Sequence, residues 1–114
     1  MTDDVVYINT EEGIKRVMNN NKLYVKLLAK FKAETSLDEL INALASGDME
    51  KAQVQAHTIK GISANLSLSE LFKQVLELET QIKAMSADPN QTEKVKTVFA
   101  ETMKEIDKVI AQNG

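Results

Sequence analysis

The chain has no cysteine and no tryptophan, and its 114 residues include one histidine, one proline, four glycines and only 4% aromatic residues. Without cysteine there is no disulfide, thiolate zinc site, iron–sulfur cluster or cysteine nucleophile. A single histidine excludes a histidine-rich metal site within one chain. So few helix breakers and aromatics favour an all-α domain over a sheet protein. Long hydrophobic runs are missing too: no segment approaches the roughly 18 apolar residues a membrane helix needs. Met1-Thr2-Asp3-Asp4 is acidic where a signal peptide would be basic, and Val5-Val6-Tyr7-Ile8 is too short for a signal core. Neither sign of charge dominates. The net charge is −3 with acids and bases interspersed, and no basic stripe of the sort that tracks nucleic-acid phosphates stands out. The expectation is a soluble cytoplasmic protein with neither a nucleic-acid nor a membrane partner.

What is present is helical. Apolar residues make up 43% of the chain, enough for a core in one domain spanning 1–114, with residues 1–10 as a segment packed on it. No internal repeat, low-complexity tract or Pro-, Gly- or Ser-rich linker divides the sequence. Thr10 is a possible cap for a first helix over Glu11 to Met18. Tyr24, Leu27, Leu28 and Phe31 follow the i, i+3, i+4, i+7 spacing of an amphipathic helix. Ser36-Leu37-Asp38-Glu39 reads as a capping box that opens a helix with Leu37, Leu40, Ile41 and Leu44 inward, stopped at Ser46-Gly47. Asp48 caps a long helix to about Leu66. Ser67-Leu68-Ser69-Glu70 reads as a second capping box, with Leu66 and Leu71 as its staple. Leu71, Val75, Leu78, Ile82 and Met85 form the buried stripe of the helix it opens. Asp88-Pro89 starts a last helix with Val95, Val98, Phe99, Ile106, Val109 and Ile110 inward. Short connections and stripes of about 3/7 apolar positions predict antiparallel neighbours in a bundle.

The one histidine, His57, lies in Ala56-His57-Thr58-Ile59-Lys60-Gly61-Ile62-Ser63-Ala64-Asn65-Leu66. At about 100° per residue, Ala52, Ala56, Ile59, Ser63 and Leu66 share one narrow face. His57 falls roughly 140° from its centre, on the solvent side. Gln53, Lys60, Gly61 and Ala64 are its neighbours at i−4, i+3, i+4 and i+7. Glycine inside an exposed helix costs about 1 kcal/mol relative to alanine. One use for it here is to let a partner approach the ring; tight helix packing is the other. A neutral imidazole nitrogen can attack phosphorus, and a lysine nearby supplies the positive charge a phosphoryl group needs. Taken alone, a surface histidine is more commonly just solvated. If the turn falls near 67–68, Glu79 is level with His57 on the next helix. There it is placed to accept from Nδ1–H, or to be an ordinary interhelical or solvated acid.

At these residues the chain resembles the histidine-containing phosphotransfer (HPt) domain family. The resemblance rests on His57-Thr58-Ile59-Lys60-Gly61, the small residues that follow and Asn65-Leu66. Leu23-Tyr24, Leu27-Leu28, Phe31, Gly47-Asp48 and Leu78-Glu79 extend it from Gly13 to about Ala84. Ala64 and Ser67 depart from the pattern, since the family often has glycine at both, and the departure at Ser67 predicts a slightly different turn. The resemblance implies an antiparallel four-helix bundle with short additional N-terminal helices. It implies that His57 is the phosphoacceptor, that Lys60 stabilises the phosphoryl group and that Glu79 orients the imidazole. It further implies that Gly61 clears space for docking, and Gln53 and Ala64, neighbours of His57 by helix spacing, are expected to share that docking face.

Under this reading the partners are response-regulator receiver domains and a hybrid sensor histidine kinase. The chain uses no cofactor of its own, and magnesium comes with the receiver domain. No Gly-rich phosphate loop or ATP-binding motif is present, so the expectation is a monomeric phosphorelay intermediate and not an autokinase. The start at Met1 and the end at Ala111-Gln112-Asn113-Gly114 favour a free-standing protein over a piece of a chemotaxis-type kinase. A non-phosphorylated helical adaptor is the other alternative. A metal-binding bundle lacks the paired Glu-x-x-His motifs it would need.

Overall fold

Most helix ends are marked by a left-handed residue, and most helix starts by an asparagine or aspartate oxygen that caps the first turn. The computed structural model describes residues 5–113; the acidic Met1 to Asp4 stretch and Gly114 lie outside the described residues. These are α1 (Thr10–Arg16), α2 (Asn21–Phe31), α3 (Ser36–Ser46), α4 (Met49–Asn65), α5 (Ser69–Lys83) and α6 (Pro89–Asn113). No strand occurs among the described residues. α3 packs on α4, α4 on α5 and α5 on α6, while α2 leans on α6 and α1 touches α2.

The core is the set of stripes read from the sequence, with a few changes. Tyr24, Leu28, Phe31, Leu40, Ala52, Ala56, Ile59, Leu71, Val75, Leu78, Ile82, Val95 and Ile106 are buried together. Tyr7 and Ile8 of the N-terminal segment pack against this cluster, and the Asn9 amide donates to the Ser67 carbonyl at 2.9 Å. Phe31 and Phe99 meet at 5.6 Å between ring centroids, tilted at 51°, which joins α2 to α6. An ion pair between Lys32 and Asp107 joins the same two helices at the surface. Thr102 is buried without cost to its hydroxyl, which donates to the Val98 carbonyl at 2.7 Å.

Several ends differ from the sequence reading. The cap of α1 is Asn9, whose side chain accepts from the Glu12 amide, so Thr10 is already helical. Neither proposed capping box forms. Ser36 lies inside α3, follows Thr35 as N-cap and gives its hydroxyl to Glu34. Ser67 is the left-handed residue that ends α4, at φ 57°. There the Leu68 amide reaches back to the Ser63 carbonyl at 2.8 Å and the Ser67 amide to Ala64, the paired bonds of a Schellman ending. The Ser67 hydroxyl donates to Glu12 of α1 at 2.7 Å instead of capping α5. Ser67 therefore performs the turn a glycine would, at about 1–2 kcal/mol of left-handed strain. Met85 ends α5 in the same way, at φ 59°, which removes it from the buried stripe and leaves it exposed. Gly47 ends α3 at φ 78°, and Asp48 and Asp88 do cap α4 and α6 through the Lys51 and Asn90 amides.

Candidate functional site

α4 presents two unlike faces because its sequence alternates small apolar residues with polar ones at helical spacing. Ala52, Ala56, Ile59 and Ser63 are buried. The two alanines let α3 and α5 approach closely, and the Ser63 hydroxyl is satisfied by the Ile59 carbonyl at 2.7 Å. His57 points away from this face with its side chain 72% exposed. It stands near the middle of a 17-residue helix fixed at both ends, at its start by Asp48 and at its close by the Leu66–Leu68 turn.

The ring is backed by a buried acid. Glu79 of α5 is 3% exposed and its Oε2 lies 3.3 Å from His57 Nδ1, just outside the usual N–H···O range. Its other oxygen, Oε1, is 2.7 Å from the Lys60 ammonium, whose side chain is 22% exposed. Lys83, one turn further along α5, places Nζ 3.8 Å from Oε2 with 54% of its side chain exposed. One carboxylate thus gathers an imidazole and two ammonium groups at the α4–α5 seam. Burial pushes the Glu79 carboxyl up. The hydrogen bond and charge of Lys60, the charge of Lys83 and the contact with His57 outweigh burial and hold it below the usual carboxylate range. The acid is therefore ionised at neutral pH, and it favours the tautomer with its proton on Nδ1. Nε2 then carries the free lone pair.

Around the ring the surface is low and partly apolar. A side chain at Gly61 would meet nothing within 4 Å, so the glycine serves no helix contact and leaves open ground one turn beyond His57. Gln53 and Ala64 are half-buried on either side. Val54 on α4 and Leu76 on α5 are exposed apolar side chains, at i−3 from His57 and from Glu79 respectively. A cavity of about 610 Å³ lies elsewhere, between α1, α2 and the end of α4, and none of His57, Lys60 and Glu79 lines it. His57 therefore lies on an open face and not in a cavity.

The structure brings together His57, Lys60 and Glu79, and leaves Gly61 as bare backbone beside them. It also adds residues absent from the sequence reading, Lys83, Val54 and Leu76. Lys83 carries a signal that spacing alone offers, since it stands at i+4 from Glu79. Val54 and Leu76 carry none, since isolated apolar residues on a helix exterior are common.

A family model for the Hpt domain matches residues 26–112, from the middle of α2 through nearly all of α6. No curated protein and no solved structure matches the chain. The matched span holds the exposed histidine, the acid beneath it and both lysines. The chain belongs to the Hpt domain family, whose members carry phosphoryl groups in phosphorelay signalling.

Proposed function

We propose that this protein is a phosphorelay intermediate in which His57 accepts a phosphoryl group from the aspartate of one receiver domain and passes it to another. The observation that carries this reading is the ionised, buried Glu79 under an otherwise exposed imidazole. It orients the ring and leaves Nε2 toward solvent. In the accepting step the Nε2 lone pair forms the N–P bond while the P–O bond to the aspartate breaks. The aspartate leaves as a carboxylate with the bonding pair. Nδ1 keeps its proton, held toward Glu79, and the return step reverses each change. Lys60 offsets phosphoryl charge as it develops. Gly61, Gln53 and Ala64 form the ground on which the receiver docks, and any magnesium enters with that partner.

On this reading the chain has no autokinase activity, and a hybrid sensor histidine kinase stands upstream. We read residues 1–114 as one domain, with α3 to α6 as an antiparallel four-helix bundle and α1 and α2 as the added N-terminal helices. The successive packing of α3 on α4, α4 on α5 and α5 on α6 through short links supports that arrangement. The protein acts as a monomer in the cytoplasm, where its receiver partners act.

The test uses a receiver domain carrying labelled aspartyl phosphate, mixed with wild type and with His57→Gln. Acid-labile label should move to the wild type and not to the variant. Label on His57→Gln, or none on the wild type from any receiver of the same cell, contradicts the proposal.

A further inference from the structure

A phosphoryl group on His57 brings a charge of about −1.5 to −2 to a ring that already rests on an ionised carboxylate. The Lys60 ammonium, one turn along α4 from the ring, is engaged with Glu79. It lies 2.7 Å from Glu79 Oε1 with 22% of its side chain exposed, so it chiefly neutralises the buried acid. Withdrawing it would leave Glu79 with weaker compensation inside the seam, a costly exchange for a buried charge.

Lys83 is held less tightly. It reaches the site from α5, on the opposite side of the seam from Lys60. Its Nζ approaches Oε2, the same carboxylate oxygen that faces His57 Nδ1, whereas Lys60 holds the other oxygen. The contact is long, at 3.8 Å, and 54% of the side chain is in solvent. Lys83 also ranks behind the hydrogen bond and charge of Lys60 in holding Glu79 ionised, so its contact with the carboxylate is the weaker of the two. The ammonium can leave the carboxylate for an arriving phosphoryl oxygen at little cost, and its flexible four-carbon stem allows the movement.

We propose that Lys83 is a second phosphoryl-binding cation of this site, supplied by α5 opposite Lys60, so that the two lysines divide the work. Lys60 keeps Glu79 ionised and in place and offsets phosphoryl charge from there, while Lys83 moves to meet the phosphoryl oxygens directly. This rests on His57 being the phosphoacceptor. The division differs from the simpler picture in which Lys60 alone stabilises the transferred group.

The experiment uses phosphoramidate as donor, so that no receiver contact contributes. The Nε2 lone pair forms a bond to phosphorus and the donor's P–N bond breaks. Ammonia leaves with the bonding pair and takes up a proton from solvent. Labelling rates are measured for wild type, Lys83→Gln, Lys83→Arg and His57→Gln, with thermal melting of each. Lys83→Gln should label about fivefold more slowly, the effect of one partly exposed charge. Lys83→Arg should stay within about twofold of wild type, and the deficit of Lys83→Gln should shrink at about 1 M salt, where screening acts within about 3 Å. Melting should be unchanged in both. Labelling of Lys83→Gln at the wild-type rate overturns the Lys83 proposal alone, as does a Lys83→Arg variant as slow as Lys83→Gln. A folded wild type that takes up no more label than His57→Gln overturns the phosphorelay reading and this proposal with it.

Discussion

Two stretches of α4 are held by opposite means. At its C-terminal end the Leu66 carbonyl receives the Tyr24 hydroxyl at 2.6 Å, and the tyrosine is fully buried. Gly13 lies against that ring so closely that a Cβ would overlap it. About two and a half turns earlier, His57 is anchored by a long contact to a carboxylate whose other partners are two lysines. The first arrangement is packed, specific and unexchangeable. The second is ionic, and its cations can be rearranged when a charged group arrives. The end of the helix is fixed by tight packing and a buried hydrogen bond, while the middle of the same helix presents His57 to solvent.

Substitutions should separate the two regions. Gly13→Ala forces a methyl group into the Tyr24 ring, which cannot swing away without losing its buried hydrogen bond. Overpacking of this kind costs about 1–3 kcal/mol, with the upper half expected here. Denaturant unfolding should show the loss while the folded fraction transfers phosphate at the normal rate. A neutral result would mean that Tyr24 is not locked.

Tyr24→Phe leaves the Leu66 carbonyl without its donor and should cost about 1–2 kcal/mol. The same hydroxyl gives a pH signature. Burial, reinforced by the charge of Glu12, pushes its pKa up to about 12. Its neutral form thus favours the folded state. That contribution is complete below the unfolded tyrosine value of about 10 and is lost as pH rises through the folded value. Wild type should therefore lose more stability than Tyr24→Phe between pH 10 and pH 12, a window set by the two values. Parallel alkaline curves would break the assignment.

At the histidine face the sign reverses. The Glu79 carboxyl is held below its ordinary range, so its contribution is present above the unfolded value of about 4.3 and fades as pH falls through the folded one. The stability gap between wild type and Glu79→Gln should close on acidification below about pH 4, followed by melting across the acid range. A gap that holds constant would mean that the lysines do not keep this acid ionised. The smallest effect on stability belongs to His57→Gln. An exposed side chain with one long contact should change unfolding by no more than about 0.5 kcal/mol, even though transfer is lost. A large destabilisation would show His57 to be structural.

The packed region was only half legible from residues. Tyr24, Leu28 and Phe31 announce a buried stripe, and the wheel of α4 separates Ala52, Ala56, Ile59 and Ser63 from His57. The lock itself was not legible, because Gly13, Tyr24 and Leu66 meet only in three dimensions. Ser67 misled for a related reason. Ser-x-x-Glu spacing suits a capping box, but the hydroxyl found Glu12 more than fifty positions upstream and the backbone took the left-handed turn instead. Met85 kept the spacing of a core residue while standing beyond the last turn of α5, where periodicity no longer applies. At the histidine face, Glu79 was placed at the right height, yet its burial and its hold on Lys60 depend on how deeply the α4–α5 seam closes. Spacing gives height along a helix and leaves that depth open.

The most direct test of the account is where the phosphorus is bonded. Phosphorylated protein with nitrogen-15 in its histidine should show, by nitrogen–phosphorus correlated NMR, one P–N bond at Nε2 of His57 with the proton retained on Nδ1 facing Glu79. Phosphorus on Nδ1, or on any residue other than His57, would contradict it.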